Sequence, residues 1–364
     1  MSAVVIDTAA LLPLPPEGVE LQRPEAERHI VFRGLSHPEE HGRWTDGAHV
    51  RLLFRLPYRP EGGATLMLES LGYVAGGHVF EQQAEILANG RPVGRWNVMS
   101  AAMVPRVVAV PPEAIEPDGS VMLELRIATC VQPARLGLGD DRRLLGLLLR
   151  GLSWRERPAR RPPDLSAERA RPVGRESRKS FVEKIDSGFW SRFVTGPAVL
   201  DIGFQGASAA GSVVPILPGA IGVDIGYPGY DGRILPFADD SQDAVYSSHC
   251  LEHIPDNIKA IQEWHRVVKV GGHIITVVPS AHLYERRRRV PSMWNGDHRR
   301  TYTPASLLAE FEAALAPNSF RVRHLAENDA GYQYSLPPNL HPEGCHEIEL
   351  VVEKIAPPLW RLGD

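Results

Sequence analysis

The pattern of apolar residues changes along the chain. Before residue 155 apolar and polar residues alternate, as in VMLELRI (121–127), which is typical of strands with one buried face. After residue 178, short and almost wholly apolar runs alternate with helical periodicity, which is typical of parallel strands covered on both faces. These patterns require different layer architectures, so the sequence predicts a multidomain chain. Its 364 residues agree with about two domains.

Residues 1–154 predict an all-β domain, either a β-sandwich or a jelly roll. Strand-like segments are separated by Pro and Gly residues at intervals of about ten residues, as in such folds. The segments are 49–57, 64–74, 80–90, 107–113 and 121–130. Asn89-Gly90 lies between EQQAEILA and RPVGRWNV. It predicts a type I′ hairpin turn, because both central residues of that turn have positive φ.

Residues 155–178 predict a linker or an arm that follows the protein surface. The segment carries eight arginines, and Leu165 and Val173 are its large apolar side chains. Its Pro and charge content prevents a packed core of its own. A solvated spacer is the preferred interpretation, and docking of an anionic partner is the alternative.

Residues 179–364 predict an α/β domain. Phe181, Ile185, Phe189 and Phe193 are spaced four residues apart, which predicts one amphipathic helix over 179–194. Strand-like runs follow at 198–203, 220–226, 244–249 and 273–280, and helical runs at 258–269 and 304–316. The last apolar run, 346–355, has no crossover helix after it. It is expected to close the sheet as an antiparallel edge strand.

Acidic residues mark the ends of two consecutive predicted strands in this domain. Asp201 ends the first strand and precedes a turn that contains Gly203 and Gly206, and Asp224 ends the second strand 21 residues after Gly203. Ligands of open α/β sheets bind beyond the carboxyl ends of the strands. Glycines there let the backbone approach a ligand closely, and an acid at the next strand end accepts hydrogen bonds from ribose hydroxyls.

Several segments of this half, between residues 181 and 355, resemble the class I S-adenosylmethionine-dependent methyltransferases, with closest similarity to the methyltransferase-11 branch. The segments are VLDIG, IGVDI, DGRILPFADDSQDAV, SSHCLEHI, EWHRVVKVGGHIITVVPS and HRRTYTPASL, in the order and spacing of the family. That order argues against an NAD dehydrogenase, the nearest alternative. The resemblance implies S-adenosylmethionine as cofactor and a Rossmann-like methyltransferase fold with an antiparallel last strand.

The resemblance implies a set of cofactor-binding residues at strand ends and in the loops that follow them. They are Asp201, Gly203, Gly206, Asp224, Ile225, Asp231, Gly232, Ser247, Ser248 and His249. Asp224 would take the ribose hydroxyls, and Asp231, at the end of a short third strand, would meet the adenine amino group. Gln205 and Ala207 stand where the family pattern has glycines. A degenerate fold that does not bind the cofactor is therefore an alternative.

Two histidines are candidate general bases. Methyl transfer to a hydroxyl needs alignment and a proton acceptor, and histidine suits that role near neutral pH. His249 follows the fourth strand, and His298 lies in a segment that the family folds over the pocket. A backbone-positioning role is an equal alternative for His249. Asp297 is not expected to orient His298, and His253 is expected to pack or to cap a helix.

The segment 283–300 predicts a substrate-binding lid, because it follows the carboxyl end of the fifth strand and carries six arginines beside aromatic and amide groups. Aromatic and amide groups suit a polyhydroxylated ring, and arginines suit phosphate or uronate. A solvated charge run is the alternative. The candidate substrate-binding residues are Tyr284, Arg286, Trp294, Asn295, Arg299 and Tyr302.

The N-terminal segments EEHGRWTDGAHVRLLFRLP and PARLGLGDDRRLLGLLLRGLSW resemble a β-sandwich module of bacterial surface-polysaccharide enzymes. Trp44 is expected to be a core anchor, and Asp140, Asp141 and Arg142 to form an internal salt-bridge corner. The module implies a glycan context, and hence O-methylation of a sugar in polysaccharide or lipopolysaccharide biosynthesis. The acceptor would be a glycan, a nucleotide sugar or a lipid-linked sugar.

Two other functions stay open at this point. One is a non-catalytic glycan-binding or assembly protein, and the other is an N-methyltransferase acting on an amino sugar or a lipid head group. The net charge of −4 excludes a nucleic-acid binder that relies on overall basic charge. Three cysteines without a CxxC pair support neither a disulfide framework nor a structural zinc site, and no metal-ligand spacing stands out. With no signal-peptide pattern or membrane-length apolar run, a cytoplasmic protein is expected, with peripheral association with a polysaccharide assembly complex open.

Overall fold

The structure is a computed structural model that describes residues 10–208, 211–287 and 289–360. The chain divides into two compact units, Met1–Ala159 and Arg160–Asp364. Each unit contains its own hydrophobic core. Within the described ranges, no helix is both long enough and apolar enough to span a bilayer.

The described part of the first unit consists of β-strands joined by turns and short 3-10 helices. The strands are β1 (Val19–Glu20), β2 (Ile30–Arg33), β3 (Arg43–Trp44), β4 (His49–Arg55), β5 (Ala64–Gly72), β6 (Gln82–Ala88), β7 (Arg91–Val98), β8 (Val104–Val110), β9 (Ser120–Ile127) and β10 (Leu147–Glu156). One antiparallel sheet has the order β1-β10-β5-β8, with β3 also paired to β10. The other has the order β2-β4-β9-β6-β7 and is also antiparallel.

The alternating pattern determines which side chains enter the core of this unit. In β4, Val50, Leu52 and Phe54 are buried, while the residues between them are exposed or half-buried. Val50 and Leu52 lie opposite Leu125 and Leu123 of β9, which belong to the same core. That core also contains side chains from the other sheet, so the two sheets pack face to face as a sandwich.

The hairpin predicted at Asn89-Gly90 joins β6 to β7, and this prediction is confirmed. Both residues have positive φ, +46° at Asn89 and +78° at Gly90. The Asn89 side chain also accepts a hydrogen bond from the Met122 amide at 2.9 Å. It donates to the carbonyls of Ala114 and Ser120, both at 3.1 Å. These bonds connect the turn to the neighbouring strand β9.

Two predictions for the first unit are wrong in detail. Trp44 is half-buried and lies edge-on to Tyr73, with ring centroids 5.6 Å apart, on the wall of a surface groove outside the core. A salt-bridge corner forms, but its cation is Arg143, and Asp140 is exposed and outside the described ion pairs. That guanidinium lies 2.7 Å from Asp141 and 2.6 Å from Glu39. Arg142 is exposed, whereas the side chain of the next residue, Arg143, is directed toward Asp141 and Glu39.

Residues 160–174 are an arm on the second unit rather than a solvated spacer. Leu165 and Val173 are buried in the same core as Trp190. The Arg171 guanidinium donates to the carbonyl of Pro215 at 2.9 Å and to that of Leu217 at 3.1 Å. Two apolar side chains and one arginine thus fix a segment whose composition resembles a linker.

The described part of the second unit contains four α-helices and eight strands. They are α1 (Arg175–Asp186), α2 (Phe189–Phe193), β11 (Val199–Ile202), β12 (Ala207–Ser208), β13 (Gly211–Ser212), β14 (Ile221–Val223), β15 (Gln242–Ser248), α3 (Asn257–Val267), β16 (Val268–Pro279), α4 (Pro304–Ala314), β17 (Phe320–Asn328) and β18 (Glu347–Lys354). Six strands form a sheet of order β14-β11-β15-β16-β18-β17. β14, β11, β15 and β16 are parallel, and β18 is antiparallel to both its neighbours.

Helices cover both faces of this sheet. Successive strand residues point to opposite faces, so Tyr246 packs with Trp190 of α2, whereas Val245 packs in the core that contains Trp264 of α3. Both tryptophans are almost fully buried. The apolar runs in the sequence are the central strands of this doubly covered sheet.

The last strand is antiparallel as predicted, but it is not at the edge. β18 lies between β16 and β17, and β17 forms the edge. β17 was not anticipated, because most of its side chains are exposed or half-buried and its sequence, FRVRHLAEN, lacks an apolar run. The predicted single helix over 179–194 is divided at Gly188, whose φ of +70° ends the first helix.

The short third strand predicted before Asp231 is absent from the described backbone between residues 224 and 241. Asp231 instead forms a turn, in which its carboxylate accepts hydrogen bonds from the amides of Arg233 and Ile234 at 2.8 and 2.7 Å. These bonds lower the pKa of Asp231. The side chain therefore organises its own loop.

Candidate functional site

A cleft of about 690 Å³ opens at the carboxyl ends of β14, β11 and β15. Its volume lies in the range typical of small-molecule sites, and its place is where open α/β sheets bind ligands. Many of the residues predicted from the sequence line it: Gly203, Asp224, Ile225, Gly232, His249, Asn295, His298 and Arg299. Residues 295–299 also line the cleft.

The glycine turn after β11 explains why one position must be glycine. Gly203 has φ of +88°, and a Cβ there would lie 2.7 Å from Cβ of Cys250. Gln205 is not among the described residues with positive φ, so its replacement of a glycine strains no backbone. The Phe204 ring covers Gly222 of β14, where an added Cβ would lie 2.0 Å from the ring. Gly206 has positive φ but does not line the cleft.

Asp201 and Asp224 lie at neighbouring strand ends but in different environments. Asp224 is half-buried on the cleft wall, and Ile225 beside it is 86% exposed. Asp201 is buried and accepts a hydrogen bond from the Ile216 amide at 2.7 Å. Burial raises the pKa of Asp201 to about 7, although that hydrogen bond opposes the shift. Asp201 thus organises the backbone behind the cleft, and Asp224 faces it.

The loop after β15 places His249 on the cleft wall in a left-handed conformation, with φ of +49°. Nonglycine residues with such φ values cluster at functional sites. Nε2 of His249 lies 3.2 Å from Oε1 of Glu347, and Nδ1 lies 3.8 Å from Oε1 of Glu252. Burial alone would lower the pKa of His249, but Glu347, Glu252 and Glu176 together raise it. Ser247 and Ser248 end β15 but do not line the cleft.

A buried polar cluster behind His249 connects β18 to α1. Oε2 of Glu347 accepts a hydrogen bond from the Ser180 hydroxyl at 2.9 Å. The Lys184 ammonium lies 2.5 Å from Oε1 of Glu349 and 3.8 Å from Oε2 of Glu347. All of these side chains are buried. The cluster therefore holds the carboxylate that orients His249.

We expect this cluster to make the second unit sensitive to acid. Although burial alone would raise it, the bonds of Glu349 to His324 and Lys184 bring its pKa down to about 2, from 4.5. The ionised carboxylate thus stabilises the fold above pH 4.5, and this contribution is lost as the pH falls toward 2. In urea titrations at several pH values, the unfolding free energy should fall by on the order of 3 kcal/mol more in the wild type than in Glu349→Gln. Parallel pH profiles would contradict this.

His298 forms a buried pair with a glutamate that the sequence did not indicate. Nδ1 of His298 lies 2.5 Å from Oε1 of Glu285, at the end of a single π-helical turn, Ala281–Glu285. Glu285, not Asp297, is therefore the orienting residue. His298 Nε2 lies 3.9 Å from Oε1 of Glu252, and the Arg299 amide donates to the Glu252 carbonyl at 3.0 Å. These contacts hold the 298–299 segment against the loop after β15.

His253 caps none of the described helices, but its ring packs edge-on against the His298 ring, with centroids 4.8 Å apart. Asp256 caps α3, since its side chain accepts a hydrogen bond from the Lys259 amide. His253 lines the cleft, and its Nδ1 lies 3.3 Å from the carbonyl of Asp297. Its Nε2 lies 3.9 Å from Oε1 of Glu252. The helix-capping expectation for His253 is therefore wrong, whereas its ring contact with His298 agrees with the packing expectation.

Of the candidate substrate residues, Asn295 and Arg299 line the cleft, whereas Tyr302 and Arg286 do not. Tyr302 is buried and donates to Glu310 at 2.8 Å. Arg286 donates to the Tyr332 hydroxyl at 3.2 Å and to two backbone carbonyls. The fold itself uses the polar groups of Tyr302 and Arg286. The described structure thus does not bring Tyr302 or Arg286 to the cleft, and their role in substrate binding stays a prediction.

Tyr284 and Trp294 lie behind the cleft wall. The Trp294 indole donates to the Tyr284 carbonyl at 3.1 Å. The Tyr284 ring stacks on His346 with centroids 4.8 Å apart, and burial raises the pKa of the phenol to about 12. Neither side chain lines the cleft. Arg288 of the same segment lies outside the described residues.

Sequence reasoning missed the glutamates around the histidines, namely Glu176, Glu252, Glu285 and Glu347. Each comes from a different element, so spacing carries no signal. Glu285 precedes four arginines and resembles part of a solvated charge run, although the structure buries it. Glu252 stands between apolar and histidine residues in SSHCLEHI, which was the available signal.

Residues 225–276 match a family model described as a methyltransferase domain. The matched segment begins directly after Asp224 and includes β15, α3 and most of β16. It therefore contains one wall of the cleft, and the match supports a class I methyltransferase. Among curated proteins, none matches this chain.

Two solved structures illustrate the likeness of the fold. An S-adenosylmethionine-dependent methyltransferase from Mesorhizobium loti is 15% identical, with 43% of this chain and 90% of that chain covered and a TM-score of 0.27. A SAM-dependent methyltransferase from Aquifex aeolicus is 14% identical, with 52% and 98% covered and a TM-score of 0.32. At these identities and TM-scores, neither likeness bears on the activity of this chain.

Proposed function

We propose that the second unit is an S-adenosylmethionine-dependent methyltransferase that binds its cofactor in the cleft. The observation that carries the proposal is the placement of Gly203 and Asp224 at adjacent strand ends on one cleft wall. Asp224 offers carboxylate oxygens to the ribose hydroxyls, and exposed Ile225 offers an apolar surface to the adenine ring. Gly203 lets the methionine part approach the backbone closely.

We assign His249 as the general base. When bound, the cofactor supplies a methyl group on a sulfonium, and the hydroxyl proton of the acceptor must leave as the oxygen–carbon bond forms. With its Nε2–H donated to Glu347, His249 presents Nδ1 as the acceptor of that proton. His298 is the second candidate, but its side chain is only 3% exposed. The geometry therefore favours His249.

We propose a sugar hydroxyl of a glycan, a nucleotide sugar or a lipid-linked sugar as the acceptor. Asn295 and Arg299 both line the cleft. An amide suits hydroxyl groups, and a guanidinium suits phosphate or carboxylate. The resemblance of the N-terminal segments to a module of polysaccharide enzymes supports the same acceptor class. Gln205 has an ordinary φ, so its replacement of a glycine does not by itself argue against cofactor binding.

Calorimetric titration with S-adenosylhomocysteine, the demethylated cofactor, tests this proposal. We expect one site per chain, and an affinity at least 30-fold lower for Asp224→Ala, because two hydrogen bonds to a carboxylate contribute about 1.5–3 kcal/mol each. Asp239→Ala is the control, because Asp239 forms an exposed ion pair with Arg266 outside the cleft. Its affinity should stay within twofold. Absence of binding by the wild type would refute the proposal.

Substitution of Gly203 should weaken cofactor binding through sterics. In Gly203→Ala the added Cβ would meet Cys250 at 2.7 Å, at a φ of +88° that alanine rarely adopts. We expect a loss of about 1–3 kcal/mol in stability and at least a tenfold loss in S-adenosylhomocysteine affinity. The matched control is Gly206→Ala, where φ is +74° but the nearest atom, in Phe204, is 3.8 Å away. Equal losses in both variants would mean that the contact with Cys250 is unimportant.

A further inference from the structure

Glu252 is a buried carboxylate without a compensating cation among the described residues. Its exposed fraction is 0%, and neither carboxylate oxygen has a hydrogen-bond partner in the described structure. The described ion pairs of Glu252 involve histidines alone. An unpaired buried carboxylate costs several kcal/mol, so such groups are usually paired or bound to metal. Something at this site should compensate the charge.

Two imidazoles converge on this carboxylate at distances that suit a shared cation. Nε2 of His253 and Nε2 of His298 each lie 3.9 Å from Oε1 of Glu252. These separations are too long for hydrogen bonds. Ligands of one tetrahedral ion lie about 3.3–3.6 Å apart when each bond is about 2.0–2.2 Å long. The ligand atoms of the three residues all lie within 4.8 Å of one another.

The hydrogen-bond partners of His253 and His298 engage Nδ1 of each ring and leave Nε2 free to bind a metal ion. Nδ1 of His298 is 2.5 Å from Glu285, and Nδ1 of His253 is 3.3 Å from the carbonyl of Asp297. When Nδ1 carries the proton in each ring, Nε2 keeps the lone pair that a metal ligand needs. A carboxylate or carbonyl behind a histidine is the usual support of a metal ligand. The arrangement therefore includes the second layer that metal sites require.

The site also has an entry path. His253 and His298 line the cleft, whereas Glu252 lies behind them. The Arg299 amide donates to the Glu252 carbonyl, and the Arg299 Nε donates to the His253 carbonyl, both at 3.0 Å. These bonds hold the segment that carries His298 beside the segment that carries Glu252 and His253. An ion held here would contact the protein on one side and the cleft on the other.

We propose that Glu252, His253 and His298 bind a divalent transition-metal ion, of the class that one carboxylate and two imidazoles select, such as Zn²⁺ or Mn²⁺. Two of these residues, His253 and His298, line the cleft. Resting on the proposed function, an ion held there would supply Lewis-acid chemistry that lowers the pKa of the acceptor hydroxyl. His249 would accept the hydroxyl proton as the oxygen–methyl bond forms and the sulfur–methyl bond breaks. His298 is 45 residues from His253, so no ligand spacing in the sequence indicates this metal site.

Metal analysis of the purified full chain, together with Zn²⁺ and Mn²⁺ titrations of the chelator-treated protein, tests this proposal. We expect one ion per chain for the wild type and loss of stoichiometric binding in Glu252→Gln and His298→Asn. His282→Asn is the matched control, because His282 is exposed and outside the cluster. It should bind as the wild type does. S-adenosylhomocysteine binding by each variant verifies that the unit is folded.

The positioning residue Glu285 supplies a second, milder test. Glu285→Gln should weaken the affinity for Zn²⁺ about 10–100-fold, as loss of an outer partner does at other metal sites. A merely structural role would lower thermal stability and leave Zn²⁺ affinity unchanged, which would overturn the assignment.

The outcomes distinguish this inference from the proposed function. A wild type that binds S-adenosylhomocysteine but neither Zn²⁺ nor Mn²⁺ would overturn the metal site alone. Stoichiometric ion binding without S-adenosylhomocysteine binding would overturn the cofactor proposal alone. Ion binding by Glu252→Gln equal to that of the wild type would overturn the proposed three-residue metal site.

Discussion

Replacement of His249 by asparagine is expected to lower kcat for methyl transfer by about 10²–10⁴-fold, the usual contribution of a general base. Asparagine tolerates positive φ better than most residues, so the +49° conformation at this position should persist. Affinity for S-adenosylhomocysteine should change less than threefold, because the base contacts the acceptor. The measurement is the initial rate of tritium transfer from labelled S-adenosylmethionine to a panel of sugars, nucleotide sugars and lipid-linked sugars.

Two further variants separate catalysis by His249 from a positioning role. Glu347→Gln keeps a hydrogen-bond acceptor 3.2 Å from Nε2 of His249 but removes the charge, so we expect a smaller loss of kcat. His265→Asn changes a histidine that bonds the Ser319 carbonyl outside the cleft, and its kcat should match the wild type. A His249→Asn variant that retains full kcat would contradict the assignment.

Replacement of Lys184 by methionine is expected to destabilise the second unit by about 3–5 kcal/mol, because the change removes the buried ammonium that compensates the charges of Glu347 and Glu349. Lys184 lies 2.5 Å from Glu349 and 3.8 Å from Glu347, and all three side chains are buried. For a unit of this size the shift in Tm is about 10 °C. Differential scanning calorimetry of the full chain should show the shift in the transition of the second unit.

A matched lysine and a double variant control this prediction. Lys269→Met removes the pair with Asp243 at 2.7 Å, whose lysine is 44% exposed, so we expect a loss of at most about 1 kcal/mol. Lys184→Met combined with Glu349→Gln should recover part of the lost stability, because a neutral partner replaces the unpaired charge. Equal shifts for Lys184→Met and Lys269→Met would show that burial does not govern this pair.

Features that depend on neighbouring residues were predictable from the sequence. The strand end at Asp224, the turn glycine Gly203 and the Asn89-Gly90 hairpin follow from local hydrophobic patterns and backbone chemistry. The place of β18 inside the sheet was not predictable, because it depends on β17, whose side chains lack a continuous apolar run.

The buried glutamates near the cleft could not be predicted from the sequence, for a different reason. Glu252 and Glu285 are brought to one site by the fold from separate elements, and each is surrounded by side chains distant in sequence. Local sequence patterns indicate only the helix, strand or loop in which a residue lies. A glutamate beside arginines or histidines has the sequence pattern of an exposed surface residue. Likewise, the arm at 160–174 is held by long-range contacts of Leu165, Val173 and Arg171 that its composition does not reveal.

A crystal structure of the full chain with S-adenosylhomocysteine tests the central claim most directly. We predict ligand density in the cleft, with the ribose hydroxyls within hydrogen-bond distance of Asp224, the homocysteine part against Gly203, and the sulfur directed toward His249. Density elsewhere on the chain, or an empty cleft at saturating ligand, would contradict an S-adenosylmethionine-dependent methyltransferase built on this site.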